Sequence, residues 1–536
     1  MLCDVEGARG AGTWCKPCAM MRGDCPGNTR AEPQVDQAMS IVRRNIIANV
    51  AGRGCSALLS LVVIPIYIHF LGIEAYGLIG FFLSLMAVLS LLDLGLGTAL
   101  NRQFAQYSAQ SGRAQEMRDL LRTLEIIYWL IGIAIGTMMA ALAPVIAAYW
   151  IKPQLLTADT VMQALAMMGI AVAFQWPRAL YAGGLMGMQR QVAFNLLSSI
   201  TGTVNGIGGV LVVWLVSPTI QALVAWSMTI SLVDTLLTGL LLWRSLPKGC
   251  ERPAFNRQLL ADIWRFAAGM TGISITSVIQ TQLDKMILVK VLPLDAFGYY
   301  SLAWRLAEGL RYLVGPISAA FFPRFSQSLL IENPRDLARL YHRGCQLISV
   351  VVLPLAVVLM LFPYELLLLW TRDRSIAENA HLVLSLLTAG AVLNALASLP
   401  YSLQIASGWT QLSLIVNTVS VVLLAPLIYF MSVKYGGVGA AIVWVIFNAF
   451  YVLVGLYLMH RRLLRGELLR WYRVDVGQPL LAAAAVAGVW KWLMPFSDTV
   501  WSSLLSLTLV SAATLAAAIV AAPEIRTLAM RWLTDR

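Results

Sequence analysis

Charged residues and cysteines are both scarce in this sequence, and each shortage excludes a class of protein. Only 12% of the 536 residues are charged and 59% are hydrophobic, whereas soluble domains average roughly 25% charged and 45–50% apolar. This composition excludes a cytosolic enzyme, a disordered chain and a coiled coil. The seven cysteines are too scattered to form a disulfide framework.

Catalytic and nucleic-acid-binding patterns are also missing. There is no Walker lysine motif, no HExxH and no nucleophile elbow, and the four histidines lie far apart. We therefore predict no catalytic residues, no metal and no cofactor. The net charge is +12, but no hydrophilic segment interleaves basic and aromatic residues, so nucleic acid is excluded as a partner.

The first forty residues differ from the rest of the chain. They hold four cysteines and lack the apolar stretch of about 7–15 residues that a signal peptide needs. Cys15 and Cys18 have the spacing of a zinc or redox pair, but no second pair lies at ligand spacing. We predict a disordered tail at 1–40, and Met39 is an alternative start.

Fourteen apolar runs in the sequence are candidate membrane spans. They lie near 45–69, 77–100, 124–150, 161–184, 192–216, 219–243, 263–290, 298–322, 344–370, 381–406, 411–432, 436–459, 478–494 and 501–522. Open strands cannot cross hydrocarbon, and no run alternates with a period of two, so each is expected to be a helix. The predicted fold is an all-α polytopic membrane protein with about 14 transmembrane helices.

The basic residues between the spans predict an orientation. With a cytoplasmic N-terminus, and counting from Arg30 onward, the cytoplasmic loops and termini hold 25 Lys and Arg residues and the opposite loops hold six. Cytoplasmic loops of membrane proteins carry an excess of these residues. Both termini are therefore predicted to be cytoplasmic, with the basic residues also contacting anionic membrane lipids.

An internal repeat divides the chain. At an offset of 221 residues, the segment Leu71–Gly77 matches Leu292–Gly298, and Arg44 matches Arg265. The offset covers six spans, so both copies have the same orientation and form a parallel repeat, as in secondary transporters. The predicted organisation is a tail at 1–40, a six-helix lobe at 41–243, a cytoplasmic linker at 244–262, a second six-helix lobe at 263–460, and a basic loop with two further helices at 461–536.

Several polar residues lie inside the predicted spans. A charge at the bilayer centre costs about 2.5–3.5 kcal/mol on insertion scales, so these residues are expected to line a wet cavity. The candidates for binding a substrate headgroup are Arg53, Asn49, Arg178, Lys285, Arg305 and Arg311. The candidates for ion coupling are Asp93, Asp234, Asp284 and Glu308. The alternative is that these charges pair with one another for structural reasons.

Three short segments resemble a known family. Ile64-Pro65-Ile66-Tyr67, Leu92-Asp93-Leu94-Gly95 and Leu283-Asp284-Lys285, with their flanking residues, resemble bacterial polysaccharide and O-antigen flippases. These are the polysaccharide transport family of the multidrug/oligosaccharidyl-lipid/polysaccharide exporter superfamily. The resemblance covers about residues 40–460.

The resemblance implies a function and a location. It implies alternating access in the bacterial inner membrane, with an undecaprenyl-pyrophosphate-linked oligosaccharide carried from the cytoplasmic to the periplasmic leaflet. It also implies a cationic cavity, a proton or sodium gradient as the energy source, and a polysaccharide polymerase and chain-length regulator as partners. The four acidic candidates nearly balance the basic ones, which departs from a cationic cavity.

Two other functions remain open from the sequence. A drug/cation antiporter of the same superfamily would favour an acidic, aromatic-rich cavity. A membrane glycosyl- or acyltransferase or polymerase would need a catalytic His or carboxylate, often in a long external loop, and the predicted external loops are short.

Overall fold

The structure is a computed structural model that describes residues 32–110, 112–249, 251–330, 334–494 and 500–534. Within these ranges, the side chains at 32–58, 262, 264–274, 276–277, 334, 413–414, 528–529 and 531–534 are outside the description. The predicted tail up to residue 31 and the side chains of Asn49 and Arg53 therefore lie outside the described residues. Ala48–Arg536 forms one compact unit.

Helices make up nearly all of the described chain, and no strand occurs in those ranges. They are α1 Glu32–Leu89, α2 Leu96–Ser108, α3 Ala114–Tyr149, α4 Ala158–Gly187, α5 Gln191–Leu215, α6 Ile220–Ser245, α7 Arg257–Val291, α8 Leu294–Leu330, α9 Pro334–Leu361, α10 Pro363–Thr371, α11 Arg374–Ala406, α12 Gln411–Phe450, α13 Leu456–Leu463, α14 Leu468–Arg470, α15 Gln478–Leu493, α16 Val500–Ala521 and α17 Pro523–Thr534. A 3₁₀ turn follows α1 at Ser90–Asp93, and π-helical turns lie at Tyr451–Gly455 and Trp471–Gly477.

Two of these helices, α1 and α12, each contain one predicted span and continue into the next. In α1 the break is Gly72, with φ 82° and ψ 164°, and in α12 it is Gly436, with φ 61° and ψ −143°. A positive φ is strained for residues with a Cβ, so glycine allows the helix to kink here without a separate loop. The predicted spans 45–69 and 77–100 lie on either side of Gly72, and the predicted span 436–459 begins at Gly436. In each helix the break is a single glycine.

Nine helical segments of the described chain are long and apolar enough to cross a membrane. They are Leu59–Asp93, Ala114–Tyr149, Ala158–Gly187, Gln191–Leu215, Ile220–Ser245, Arg335–Leu361, Arg374–Ala406, Ile415–Leu463 and Val500–Ala521. The predicted all-α polytopic class is confirmed, and the count of fourteen stays a prediction.

Each predicted lobe is organised around one central helix. In the first, α4 packs against α2, α3 and α6; in the second, α11 packs against α8, α9 and α12. A buried cluster of apolar side chains extends from the first lobe into the second and includes Leu78 and Phe297, both 0% exposed. The predicted lobes therefore share this cluster, and a separate buried cluster joins α2, α3 and α4 within the first lobe.

The lobes cross at glycines that the repeat places at equivalent positions. A Cβ on Gly77 would lie 2.5 Å from the carbonyl oxygen of Leu294, and one on Gly298 would meet the carbonyl of Ile73. These two contacts are related by the 221-residue offset, so the same surface of each lobe meets the other. Small residues let membrane helices approach this closely.

A buried polar cluster holds the C-terminal helices against the second lobe. His342 of α9 bonds through Nδ1 to Asp475 and through Nε2 to Glu467, the latter at 3.0 Å. Gln346 donates to the other carboxylate oxygen of Asp475 at 2.9 Å. His342, Gln346 and Asp475 are all 0% exposed. The helices α15 and α16 pack on α9 beside this cluster.

We expect Asp475→Asn to lower the thermal stability of the purified protein. The amide cannot accept from both His342 and Gln346 on two oxygens, so a buried donor is left unpaired at a cost of about 1–3 kcal/mol. Thermal unfolding in detergent would measure the loss. The matched change Asp159→Asn, at an exposed first-turn position of α4, is expected to have no effect; equal stability of both variants would contradict the prediction.

Candidate functional site

A polar cavity of about 470 Å³ lies within the second lobe, among α7, α8, α11 and α12. Its lining is rich in amides and hydroxyls and includes one cation. The polar lining residues are Gln280, Thr281, Arg311, Ser318, Asn394, Ser398, Tyr401, Ser402, Asn417, Asn448 and Tyr451. No carboxylate occurs among the lining residues of this cavity.

The amides on facing helices are fixed by hydrogen bonds. Asn394 of α11 donates to the side-chain oxygen of Asn448 on α12 at 3.0 Å, and Asn448 donates to the carbonyl of Trp444 at 2.8 Å. A side-chain amide has two donor protons and an acceptor oxygen, so one such bond leaves capacity for a ligand. The cavity can therefore bind groups that both donate and accept, such as sugar hydroxyls.

Beside this cavity, Lys285 is held in a buried cluster. Its Nζ lies 3.2 Å from both carboxylate oxygens of Asp284, 2.9 Å from the carbonyl of Thr281 and 3.5 Å from the centroid of the Trp304 ring. Tyr300 donates to Asp284 at 2.7 Å. Lys285 and Asp284 are 6% and 8% exposed, so the structure pairs a predicted substrate ligand with a predicted ion-coupling residue.

The three charged candidates of α8 have different surroundings. Arg311 is exposed and lines the 470 Å³ cavity. Glu308 is half-buried and close enough to Lys285 for an electrostatic interaction. Arg305 interacts electrostatically with Tyr76 of the first lobe. Of the predicted site residues with described side chains, only Arg311 lines this cavity.

In the first lobe, Arg178 and Asp234 form an ion pair between α4 and α6. The Nε of Arg178 donates to Asp234, and its Nη2 donates to Ser198 at 2.9 Å. Thr201 donates to the second carboxylate oxygen of Asp234 at 3.0 Å. The Arg178 and Asp234 side chains are 27% and 13% exposed. This geometry makes Asp234 the anionic partner of Arg178.

Asp93 lies where the chain turns from α1 to α2. Its carboxylate accepts a hydrogen bond from Tyr128 of α3 and a weaker one, at 3.4 Å, from the backbone of Gly97. Leu94 and Gly95 both have positive φ, so the carboxylate fixes a tight turn. These contacts give Asp93 a structural role at the turn between α1 and α2, which lies inside the second predicted span, 77–100.

Sequence reasoning missed the amides of the cavity. Asn394, Asn417 and Asn448 lie within three different predicted spans, where an uncharged polar side chain also needs a partner. The predicted site residues are all charged apart from Asn49. A search for amides in apolar runs would have found these three.

The fold and site together define a class of protein. A polar cavity inside a bundle of apolar helices, in a chain whose predicted lobes cross at equivalent glycines, is typical of multi-pass membrane transporters.

Residues 68–371, more than half of the chain, match the family described as "Polysaccharide biosynthesis protein", and the chain belongs to that family. The chain is also 22% identical over 407 residues to a Shigella flexneri protein named "Putative O-antigen transporter", covering 76% of this chain and 94% of that protein. The resemblance to polysaccharide and O-antigen flippases is confirmed.

Solved structures share the fold. One described as "Lipid II flippase MurJ, inward closed conformation" has a TM-score of 0.68 at 16% identity, covering 88% of this chain and 97% of that one. An inward-facing multidrug resistance MATE family transporter of the MOP superfamily has a TM-score of 0.63 at 16% identity, covering 76% and 94%. The chain therefore shares the fold of these two proteins.

Proposed function

We propose that this protein moves an undecaprenyl-pyrophosphate-linked oligosaccharide from the cytoplasmic to the periplasmic leaflet of the bacterial inner membrane. The observation that carries the proposal is the 470 Å³ cavity, with its amides, hydroxyls and Arg311 and without a carboxylate among its lining residues. Family membership and the similarity to a named O-antigen transporter support it.

The cavity chemistry matches this substrate. A sugar–pyrophosphate headgroup carries many hydroxyls and at least two negative charges, so it cannot cross hydrocarbon unaided. Amide and hydroxyl groups suit sugar hydroxyls, and the guanidinium fork of Arg311 suits phosphate oxygens. The polyprenyl chain can remain in lipid while the headgroup passes through the protein. A drug/cation antiporter would instead need an anionic group in this cavity.

The two lobes supply the mechanism, alternating access. The crossing of Gly77 and Gly298 closes the lobes at one end, which the loop charges predict to be periplasmic, with both termini cytoplasmic. Rocking about this crossing would open the other end. A proton or sodium gradient supplies the energy, and a polymerase and a chain-length regulator act on the product.

The proposal is tested by replacing Arg311 with alanine in cells that depend on this protein for surface polysaccharide. We expect the export rate to fall about tenfold, because a hydrogen bond to a charged group contributes about 1.5 kcal/mol. Lipid-linked oligosaccharide should accumulate on the cytoplasmic leaflet, and this accumulation is the measured quantity.

The control is Arg324→Ala, at an exposed position on the same helix and outside the cavity lining. It is expected to export normally. If cells without the protein accumulate no lipid-linked oligosaccharide, the proposed substrate is wrong. If Arg311→Ala exports at the normal rate from a well-expressed protein, the cavity does not bind the headgroup.

A further inference from the structure

A second cavity, of about 780 Å³, lies where the two lobes meet. The first lobe contributes the end of α3 and Lys152, and the second contributes the end of α7 and the part of α12 before Gly436. It shares no lining residue with the 470 Å³ cavity. Its position at the ends of α3 and α7 places it at the surface of the helical bundle.

The charged residues of this cavity are both lysines, one from each lobe. The Nζ of Lys152 donates to the carbonyl of Val291 at 3.2 Å, and the Nζ of Lys290 lies 5.1 Å from the centroid of the Trp150 ring. No Asp or Glu occurs among the cavity's lining residues. Each ammonium has three protons to donate, so the two can bind one anionic group.

A buried hydroxyl provides a further donor. Ser432 lines the cavity, is only 1% exposed, and its Oγ has no hydrogen-bond partner among the described residues. Buried hydroxyls in proteins are nearly always hydrogen-bonded. The Ser432 hydroxyl is therefore available to donate to a ligand with an acceptor oxygen.

The remaining lining residues are aromatic and apolar. Tyr149 and Tyr429 are 82% and 50% exposed at the rim, and such aromatic residues are enriched at the depth of lipid headgroups. Met286, Ile287 and Leu292 provide an apolar wall. The two lysines together with this apolar wall match an amphiphile that has a negative headgroup and a hydrocarbon chain.

We propose that this cavity binds an anionic membrane lipid. Its phosphate lies between Lys152 and Lys290, Ser432 donates to a headgroup or ester oxygen, and the hydrocarbon chain follows the apolar wall. The site shares no lining residue with the 470 Å³ cavity, so the proposal is tested separately from the proposed function.

The test is a titration of the full-length protein, purified in detergent, with dioctanoyl phosphatidylglycerol, read by native mass spectrometry. We expect the double variant Lys152→Gln, Lys290→Gln to bind this lipid about 30-fold more weakly, the equivalent of about 1 kcal/mol for each lysine. Ser432→Ala is expected to weaken binding severalfold. Dioctanoyl phosphatidylcholine should bind the unmodified protein more weakly than phosphatidylglycerol does.

The matched control is Lys434→Gln, an exposed lysine of the same helix as Ser432 that lies outside the cavity lining. It is expected to bind phosphatidylglycerol normally. Equal binding by the double variant and the unmodified protein would overturn the proposal, as would an equal loss on Lys434→Gln, which would indicate general surface charge. Displacement of the lipid by millimolar inorganic phosphate would show a free-phosphate site instead and would also overturn it.

Discussion

Replacing Gly77 with valine is expected to reduce transport to below about a tenth of normal while both lobes still fold. A Cβ at this position lies 2.5 Å from the carbonyl oxygen of Leu294, on the backbone of the other lobe, so no side-chain rotation relieves the contact. Overpacking of this kind costs about 1–3 kcal/mol. The overpacking raises the free energy only of the arrangement in which the lobes touch at this position. The equilibrium constant between that arrangement and the open one therefore changes roughly 5- to 150-fold.

Transport by alternating access needs both arrangements, so we expect export to fall below about a tenth of normal. Gly298→Val should have the same effect, because the repeat places Gly298 at the equivalent position and its Cβ would meet the carbonyl of Ile73. Spin labels at the exposed residues Leu155 and Glu378, one in each lobe, would show a changed distance distribution in both variants.

The control for the glycine variants is Gly202→Val. Gly202 lies in α5, and a Cβ there has no neighbouring atom within 4 Å. This variant has the same change in helix propensity and volume without the contact between lobes. Normal export by Gly77→Val, or equal losses from Gly77→Val and Gly202→Val, would show that the crossing does not govern transport.

Much of the fold could be predicted from the sequence because lipid imposes simple rules. Apolar length located the helices, and the 221-residue offset paired Gly77 with Gly298 as equivalent residues. The offset did not show that these residues touch, because a repeat gives symmetry and not the surface by which the copies pack. Nor did it show that Gly72 and Gly436 join two spans without a loop, which depends on a single positive φ.

The site was less predictable, because helical spacing reports only neighbours on the same helix. Arg178 and Asp234 are 56 residues apart, on α4 and α6, and their pairing needs the packing of two helices. Lys285 and Asp284 are adjacent in sequence, yet their contact with Trp304 and Tyr300 comes from α8. Arg311 was predicted from its charge, and the amides around it were not.

Replacing Asp234 with alanine is expected to destabilise the protein severely. The Arg178 side chain is 27% exposed. Without Asp234, its guanidinium keeps the hydrogen bond to Ser198 but loses its anionic partner. Removing one partner of a largely buried ion pair costs about 3–5 kcal/mol, because the other charge stays desolvated. Thermal unfolding of the detergent-solubilised protein, together with the folded yield from membranes, measures this loss.

The double variant Arg178→Met, Asp234→Leu separates a structural pair from a substrate-binding arginine. It removes both charges at similar volume, and Thr201 and Thr238 keep their backbone acceptors, the carbonyls of Leu197 and of residue 234, at 3.0 and 2.7 Å. We expect it to be more stable than Asp234→Ala, since replacing a buried pair by apolar residues is often neutral or stabilising.

Asp336→Ala, which removes an exposed pair with Arg339, should change stability by less than about 1 kcal/mol. If Asp234→Ala is as stable as Asp336→Ala, the pair does not hold α4 against α6. If the stable double variant no longer exports, Arg178 also binds the substrate, as its position in the sequence predicted.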